Sequence, residues 1–522
     1  MILDKTLRLA ALAALALGAA PVALLAQTPG DTLVVADAID DIVSIDPHEA
    51  FEFSGVDLNN NLYDSLIELD PADPGKLVPG LAESWSVAAD GVTYSFKMKP
   101  GITFSSGNPV TAEDAALSLR RVVKLNKTPA FILTQFGFTP ENVDSLITFE
   151  GDTVTFKTDK AYAPTFVYNC LTAGVGAIVD MKTVMANEVD GDMGNAWLKA
   201  NSAGTGAFVL RTFKPNDSYV IDARADHWRG APKLARVFMR HVPEGATQRL
   251  LLEQGDIDVA RELTPVDIAG LEGNPDITIQ NDVGGQIYYL AMNQKVEPLN
   301  NPKVLEAMRW AVDYQGMADT LLKGQWVVHQ AFLPKGFLGA LDETPYSLDI
   351  DKAKAALAES GVTLPLEVSL TVRNNQERLD IAQSLQNTFA QAGITLTLDV
   401  GDGAEVLEKY RARQHEITVQ TWGPDYPDPH TNASTFALNP DNSDEAKATG
   451  YLAWRTAWDP GALGPMTEAA VIEQDPEKRR AMYEEIQRQH RDTSAFIPMF
   501  QQAVQTAMRS NVKGLYTGGA TD

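Results

Sequence analysis

The chain has 522 residues, 43 Lys and Arg against 69 Asp and Glu, a formal net charge of −26, and 44% hydrophobic with 21% charged residues. Those proportions exclude a disordered or fibrous chain and allow about three structural units at roughly 100–200 residues each. So negative a surface repels phosphates at long range, which excludes nucleic acid and anionic membrane as main partners; one cysteine, Cys170, excludes an internal disulfide and a Cys-based zinc site.

Met1–Arg8 carries Lys5 and Arg8, and Leu9–Ala26 is an Ala/Leu-rich run of 18 residues that closes on small Ala26. This pattern predicts a cleavable secretory signal peptide over 1–26 and a periplasmic mature chain. A membrane anchor is the rival reading, because 18 apolar residues approach spanning length; Gly18 and Pro21 weaken it. No cysteine follows the run, so the lipoprotein route is closed.

Asp31–Ala38 then reads as an edge or opening strand. WSVAADGVTYSFKMKPGIT (85–103) alternates about Asp90-Gly91 and predicts a hairpin. Thr111, with Asp114 three residues on, caps a helix through Val123. Ile147–Lys157 is a second hairpin about Gly151-Asp152, and Asn201–Arg224 is strand, turn, strand. Thr247–Gln254 reads as helix and Gly255–Val259 as a buried strand. From about residue 290 helices and strands alternate: helix Pro302–Tyr314, strand Leu366–Val372, helix Gln376–Ala392 stopped by Gly393, strand Ile394–Val400, helix Ala404–Arg413 and strand Glu416–Trp422. That rhythm predicts a parallel sheet in the second half.

Searches for catalytic motifs return no G-x-S-x-G, H-E-x-x-H, P-loop or complete dinucleotide fingerprint; Gly174-Val-Gly176 lacks a third glycine. The histidines at 48, 227, 241, 329, 415, 430 and 490 never fall at ligand spacing, so no metal site and no cofactor are expected. Asp40-Asp41 and Asp256/Asp258 read as solvated or structural carboxylates.

The densest unusual segment is Trp422-Gly-Pro-Asp-Tyr-Pro-Asp-Pro429, directly after a predicted strand. Ligands of parallel α/β sheets bind beyond the carboxyl ends of strands, which puts this loop at a pocket. Trp422 and Tyr426 offer flat apolar walls, Asp425 a counter-ion for an ammonium group, and the prolines stiffness. The alternative is a rigid loop whose Asp425 and Asp428 cap the next helix.

Here the chain resembles an extracytoplasmic solute-binding protein of the dipeptide/oligopeptide type serving an ABC importer. The strings that carry the resemblance run in order over nearly the whole mature chain: LYDSLIELD (62–70), LVPGLAESWSVAADGVTYSFKMKPGITFSSGNPVTAEDAALSLRRV (77–122), GTGAFVL (204–210), ADHWRGAPKL (225–234), GDIDVA (255–260), YLAMNQ (289–294) and the loop at 422–425. The resemblance implies an α/β, periplasmic binding protein-like clamshell of type II-like lobes with an extra inserted domain. The first lobe would comprise 27–70, 189–288 and 497–522, the insert 71–188 and the second lobe 289–496, with two crossovers as hinge. It implies that Asp425 meets the ligand ammonium beside Trp422, Gly423 and Tyr426, that Arg373 grips a carboxylate, and that Phe53 and Ser54, within Phe51–Gly55, reach the cleft from the first lobe. A small-molecule or peptide ligand and an inner-membrane ABC permease with ATPase subunits are the implied partners of a monomeric, non-enzymatic receptor. Two departures stand out: Leu305 where many relatives begin a helix with arginine, and the tail Asp428–Ala433. The same fold also binds opines, sugars and metal chelates; a hydrolase, the remote alternative, needs a nucleophile and base in the cleft.

Overall fold

The computed structural model describes residues 29–70 and 73–515; the expected signal peptide lies outside them. One 11-stranded sheet threads both halves of the chain, in the order Ile394–Gly401, Leu366–Arg373, Ile417–Trp422, Ile277–Met292, Phe496–Arg509, Val259–Ala260, Thr32–Asp37, Arg236–His241, Ser218–Ala223, Phe208–Lys214, with Trp326–Val328 paired onto Phe496–Arg509. Thr32–Asp37 is therefore not an edge: it lies parallel to Arg236–His241 on one side and to Val259–Ala260 on the other. Both partners come some two hundred residues later, so local alternation carries no trace of them.

At the other end the expected parallel units form. Leu366–Arg373 lies between Ile394–Gly401 and Ile417–Trp422, parallel to each. Helix Gln376–Ala392 joins the first pair; Asn375 caps it by accepting from the Arg378 amide, and Gly393 ends it at φ 100°, a conformation β-carbons oppose. The sheet as a whole is mixed, because Ile277–Met292 runs antiparallel to both of its neighbours. The helix expected over Pro302–Tyr314 stops at Ala311. Val312 is extended, and Asp313 starts a separate helix, Tyr314–Asp319, by accepting from the Gly316 amide.

Both predicted hairpins belong to a second, four-stranded antiparallel sheet, Ala82–Val87, Thr93–Met98, Thr153–Lys157, Ile147–Glu150. Its turns use Gly91 and Gly151 at positive φ, and helix Ala112–Leu125, with the Thr111/Asp114 capping box, covers a core of its own that includes Tyr94, Phe96, Phe136 and Phe156. A buried ion pair, Arg121 to Asp46 at 2.6 Å with both side chains no more than 1% exposed, ties this unit to the segment after Thr32–Asp37.

Two long strands lie side by side in the middle of the sheet. Ile277–Met292 and Phe496–Arg509 pair from Ile277↔Arg509 to Ala291↔Phe496, and their register slips between Val283 and Ile287. Gly284 and Gly285 occupy the slip, where the buried Gln501 amide donates to the Gly284 carbonyl at 2.9 Å.

Candidate functional site

Strand Ile417–Trp422 is interior, so its residues are apolar or internally hydrogen-bonded, and it delivers Trp422 opposite Ile287, at the edge of the register slip. The loop that follows is held at its far end rather than its near one. Asp428 is fully buried; its oxygens accept from Arg479 Nη1 and Nη2 at 2.8 and 2.7 Å, and Oδ1 also accepts from the His430 amide. With Pro424, Pro427 and Pro429 restricting the backbone between these anchors, the Asp425 carboxyl is presented in a recessed, partly exposed position.

Asp425 differs from Asp428 in its company. Its amide donates to Thr431 Oγ1 at 2.9 Å, but among the described residues no lysine or arginine pairs with its carboxyl. Burial pushes the group up to about 7, with the Thr431 hydroxyl pulling only partly back. Trp422 is half-buried, packed against the cluster that contains Tyr289, Tyr410 and Phe436, and its indole Nε1 is buried without a partner. Gly423 lies close to a distant helix and to the neighbouring strand: a β-carbon built there stands 3.2 Å from Phe53 Cζ and 3.6 Å from Gln286 Cγ. Phe53 opens helix Phe53–Leu62 and is itself 53% exposed. Phe53 and the loop at Gly423 thus lie side by side, although 369 positions separate Phe53 from Trp422.

Three residues singled out from the sequence are placed differently from one another. Ser54 turns its hydroxyl back to the Ala38 carbonyl at 3.2 Å. Tyr426 is 2% exposed and lies 5.8 Å from the Phe166 ring, inside the core of the four-stranded unit rather than as an open wall. That contact continues through Asn169 Nδ2 to the Pro427 carbonyl at 2.8 Å and the Ala163 amide to the Val471 carbonyl at 3.0 Å. No local signal links Phe166 to Tyr426, since each is one aromatic among many. Arg373 ends its strand exposed, against Gly403, without an ion pair among the described residues; partial burial and then neighbouring Arg378 hold its guanidinium below the usual arginine range.

Arg378 is the group that sequence reasoning passed over. It occupies the first turn of helix Gln376–Ala392 and is 6% exposed, its Nη2 donating to Thr421 Oγ1 at 3.0 Å and its guanidinium 5.5 Å from the Tyr288 ring. A cation in a helix's first turn opposes the macrodipole, and that was the available signal.

The histidines are not assembled for metal: among the described residues no cluster of three metal-ligating side chains occurs. His48 and His329, for example, are buried against the carbonyls of Ala177 and Leu333. A concavity of about 730 Å³ lies elsewhere, beside Glu408, Arg411, Arg413 and Trp454. Its buried arginine, Arg413, is already paired with Asp444 at 2.8 Å, and none of the strand-end residues lines it.

The family described as "Bacterial extracellular solute-binding proteins, family 5 Middle" matches residues 76–444. The probable D,D-dipeptide-binding periplasmic protein DdpA of Escherichia coli K12 is 26% identical over 494 residues, covering 94% of this chain and 92% of that relative. The nickel-binding periplasmic protein of the same organism is 26% identical over 457 residues, covering 84% and 83%. Among solved structures, the periplasmic binding protein DppA of Helicobacter pylori, in complex with the peptide STSA, superposes with a TM-score of 0.77 at 21% identity, covering 94% of this chain and 96% of that one. The mixed α/β fold of this chain is the one that structure has.

Proposed function

We propose, for a chain that belongs to the bacterial extracellular solute-binding proteins of family 5, a periplasmic receptor that closes over a short peptide or similar amine-bearing zwitterion and passes it to an inner-membrane ABC permease. Among the described residues no helix is long and apolar enough to cross a membrane, and membership of a solute-binding family makes the protein a receptor, not an enzyme. In this reading 27–70, 189–288 and 497–522 form one lobe carrying the insert 71–188, and 289–496 form the other. The slip at Gly284-Gly285 supports a hinge there.

The observation that carries the ligand class is Asp425. An ionised carboxyl held away from water without a cation is costly, and a ligand ammonium removes that cost while forming a charge-assisted hydrogen bond. Trp422 supplies an apolar wall beside it and Phe53 a contact from the opposite lobe. A ligand that touches both lobes shifts the population to the closed state; one that touches a single lobe does not. The cation for a ligand carboxylate belongs to the neighbouring strand end, where Arg373 stands.

A thermal-shift screen of the mature protein against di- and tripeptides, opines, neutral oligosaccharides and nickel–histidine tests the reading, since ligand at 100 times Kd stabilises by about 2.7 kcal/mol. Amine-bearing zwitterions are expected to raise Tm; a shift from a neutral sugar or a metal chelate alone would overturn it. The pH dependence follows with a definite sign. Because burial raises Asp425 to about 7, the stability that its neutral form contributes is full below the ordinary carboxyl range and is lost as pH rises through about 7. Ammonium binding needs the ionised form. Affinity is therefore expected to fall about 30-fold from pH 8 to pH 5.5, measured by calorimetric titration in matched salt.

A further inference from the structure

The concavity of about 730 Å³ beside Trp454 has the size that small organic ligands occupy, and none of residues 422–429 lines it. Its floor is fixed by the chain itself. Arg413 donates through Nε to the Trp454 carbonyl at 2.7 Å and through Nη1 to the Asn442 carbonyl at 3.0 Å and to Asp444 at 2.8 Å, and its guanidinium lies 3.8 Å from the centre of the Trp454 ring. Arg413 (φ 59°) and Lys447 (φ 44°), both on the lining, hold left-handed backbone that a β-carbon opposes, a cost that persists only where the surroundings impose it. One wall is apolar: Ala404 and Leu407 from the helix Gly403–Arg411, then Ala412. The charge is unbalanced. Lys295, Arg411, Arg413 and Lys447 line the concavity against Glu408 and Asp444, in a chain of net charge −26. Asp444 is shared by Lys295 and Arg413, which leaves Arg411 and Lys447 without an ion pair among the described residues. Nor is Arg411 spent on the helix end, because the carbonyls of Glu408, Lys409 and Tyr410 already accept from the amides of Ala412, Gln414 and Arg413. Partial burial and then neighbouring Arg455 hold its guanidinium below the usual arginine range, and an anion beside it offsets that repulsion.

We propose that this concavity is a second binding site, for a small organic carboxylate with an apolar body. The carboxylate pairs with Arg411 and Lys447, and the body covers Ala404, Leu407 and Ala412. The cations and the wall call for one ligand between them. An inorganic anion uses the cations and leaves the wall in water; a neutral apolar molecule covers the wall and leaves the cations unpaired. A planar guanidinium also matches the two oxygens of a carboxylate. A polyanion gains locally but is repelled by Glu408 and by the acidic remainder of the chain. The proposal does not draw on the reading of Asp425, since the two sites have no residue in common.

The experiment is calorimetric titration of octanoate and 1-naphthoate into the mature wild-type protein and its variants at low salt, with acetate, inorganic phosphate and 1-octanol as probes that carry only one of the two features. Octanoate and 1-naphthoate are expected to bind at least about 10-fold more tightly than any of the three. Arg411→Met and Ala404→Glu should each weaken octanoate by about 10-fold or more, and Arg411→Lys by less. Both positions are exposed, so the Tm of the free protein should change little. Asp425→Asn should leave octanoate binding in place. Octanoate affinity that is unchanged in both Arg411→Met and Ala404→Glu, or that is lost in Asp425→Asn, puts its binding elsewhere and overturns the proposal. Acetate or phosphate bound as tightly as octanoate reduces the site to a patch of cations and overturns it too, as does a wild type that takes neither octanoate nor 1-naphthoate at about 1 mM.

Discussion

Asp425→Asn is expected to reduce affinity for an amine-bearing ligand by about 2–5 kcal/mol, roughly 30- to several-thousandfold, while leaving the unliganded protein as stable or more stable at pH 8. The two signs come from one cause. Asparagine keeps the shape of the side chain and needs no counter-ion, so the cost of a recessed carboxylate disappears from the free protein. The attraction for an ammonium group disappears with it. Opposite movement of stability and affinity is the mark of a binding group held in an unfavourable state for its task. Calorimetric titration with the best ligand from the screen, and thermal unfolding of the free protein at pH 8, measure both. Loss of affinity accompanied by loss of stability would instead make Asp425 a structural residue, and full retention of affinity would remove it from the site.

Arg479→Met is expected to destabilise by about 3–5 kcal/mol, because it leaves Asp428 charged, buried and unpaired. The two side chains are at most 1% exposed and are joined by hydrogen bonds of 2.7 and 2.8 Å. Arg479 also donates through Nε to the Ala470 carbonyl at 3.1 Å, next to Val471, which accepts from the Ala163 amide of the four-stranded unit. The loss therefore reaches both ends of the loop that carries Asp425 and its contact with Phe166. Replacing the pair together, Asp428→Asn with Arg479→Met, should recover much of the stability, since no isolated charge remains. Urea unfolding midpoints of the single and double variants check this. Equal loss in the two would show that packing, not the buried charge, sets the cost.

Much of the local structure was legible because it is written in short-range chemistry. The Thr111/Asp114 capping box, the Asp90-Gly91 and Gly151-Asp152 turns and the C′ glycine Gly393 each need only a few adjacent residues, and each appears where the pattern put it. The strand–helix alternation from Leu366 to Trp422 is legible for the same reason: apolar spacing of two and of 3.6 residues reports burial directly. Failures of the local reading occur where a distant neighbour decides. Val312 breaks a continuous apolar pattern because Asp313 caps a new helix, and Thr32–Asp37 is interior because strands from two other parts of the chain enclose it.

The amino-acid sequence alone determined the family, the candidate carboxylate at 425 and the indole at 422, since residue type and order suffice for these. Which of these groups lie together was decided only by the tertiary structure: it brought Phe53 to Gly423, withdrew Tyr426 into the contact with Phe166, and placed Arg378 beside Thr421. The physical reason is that a charge's role depends on what is near it and how much water reaches it. Asp425 and Asp428 are the same residue type three positions apart. One is neutralised by an arginine 51 positions away, the other by no lysine or arginine among the described residues, and no local pattern distinguishes them.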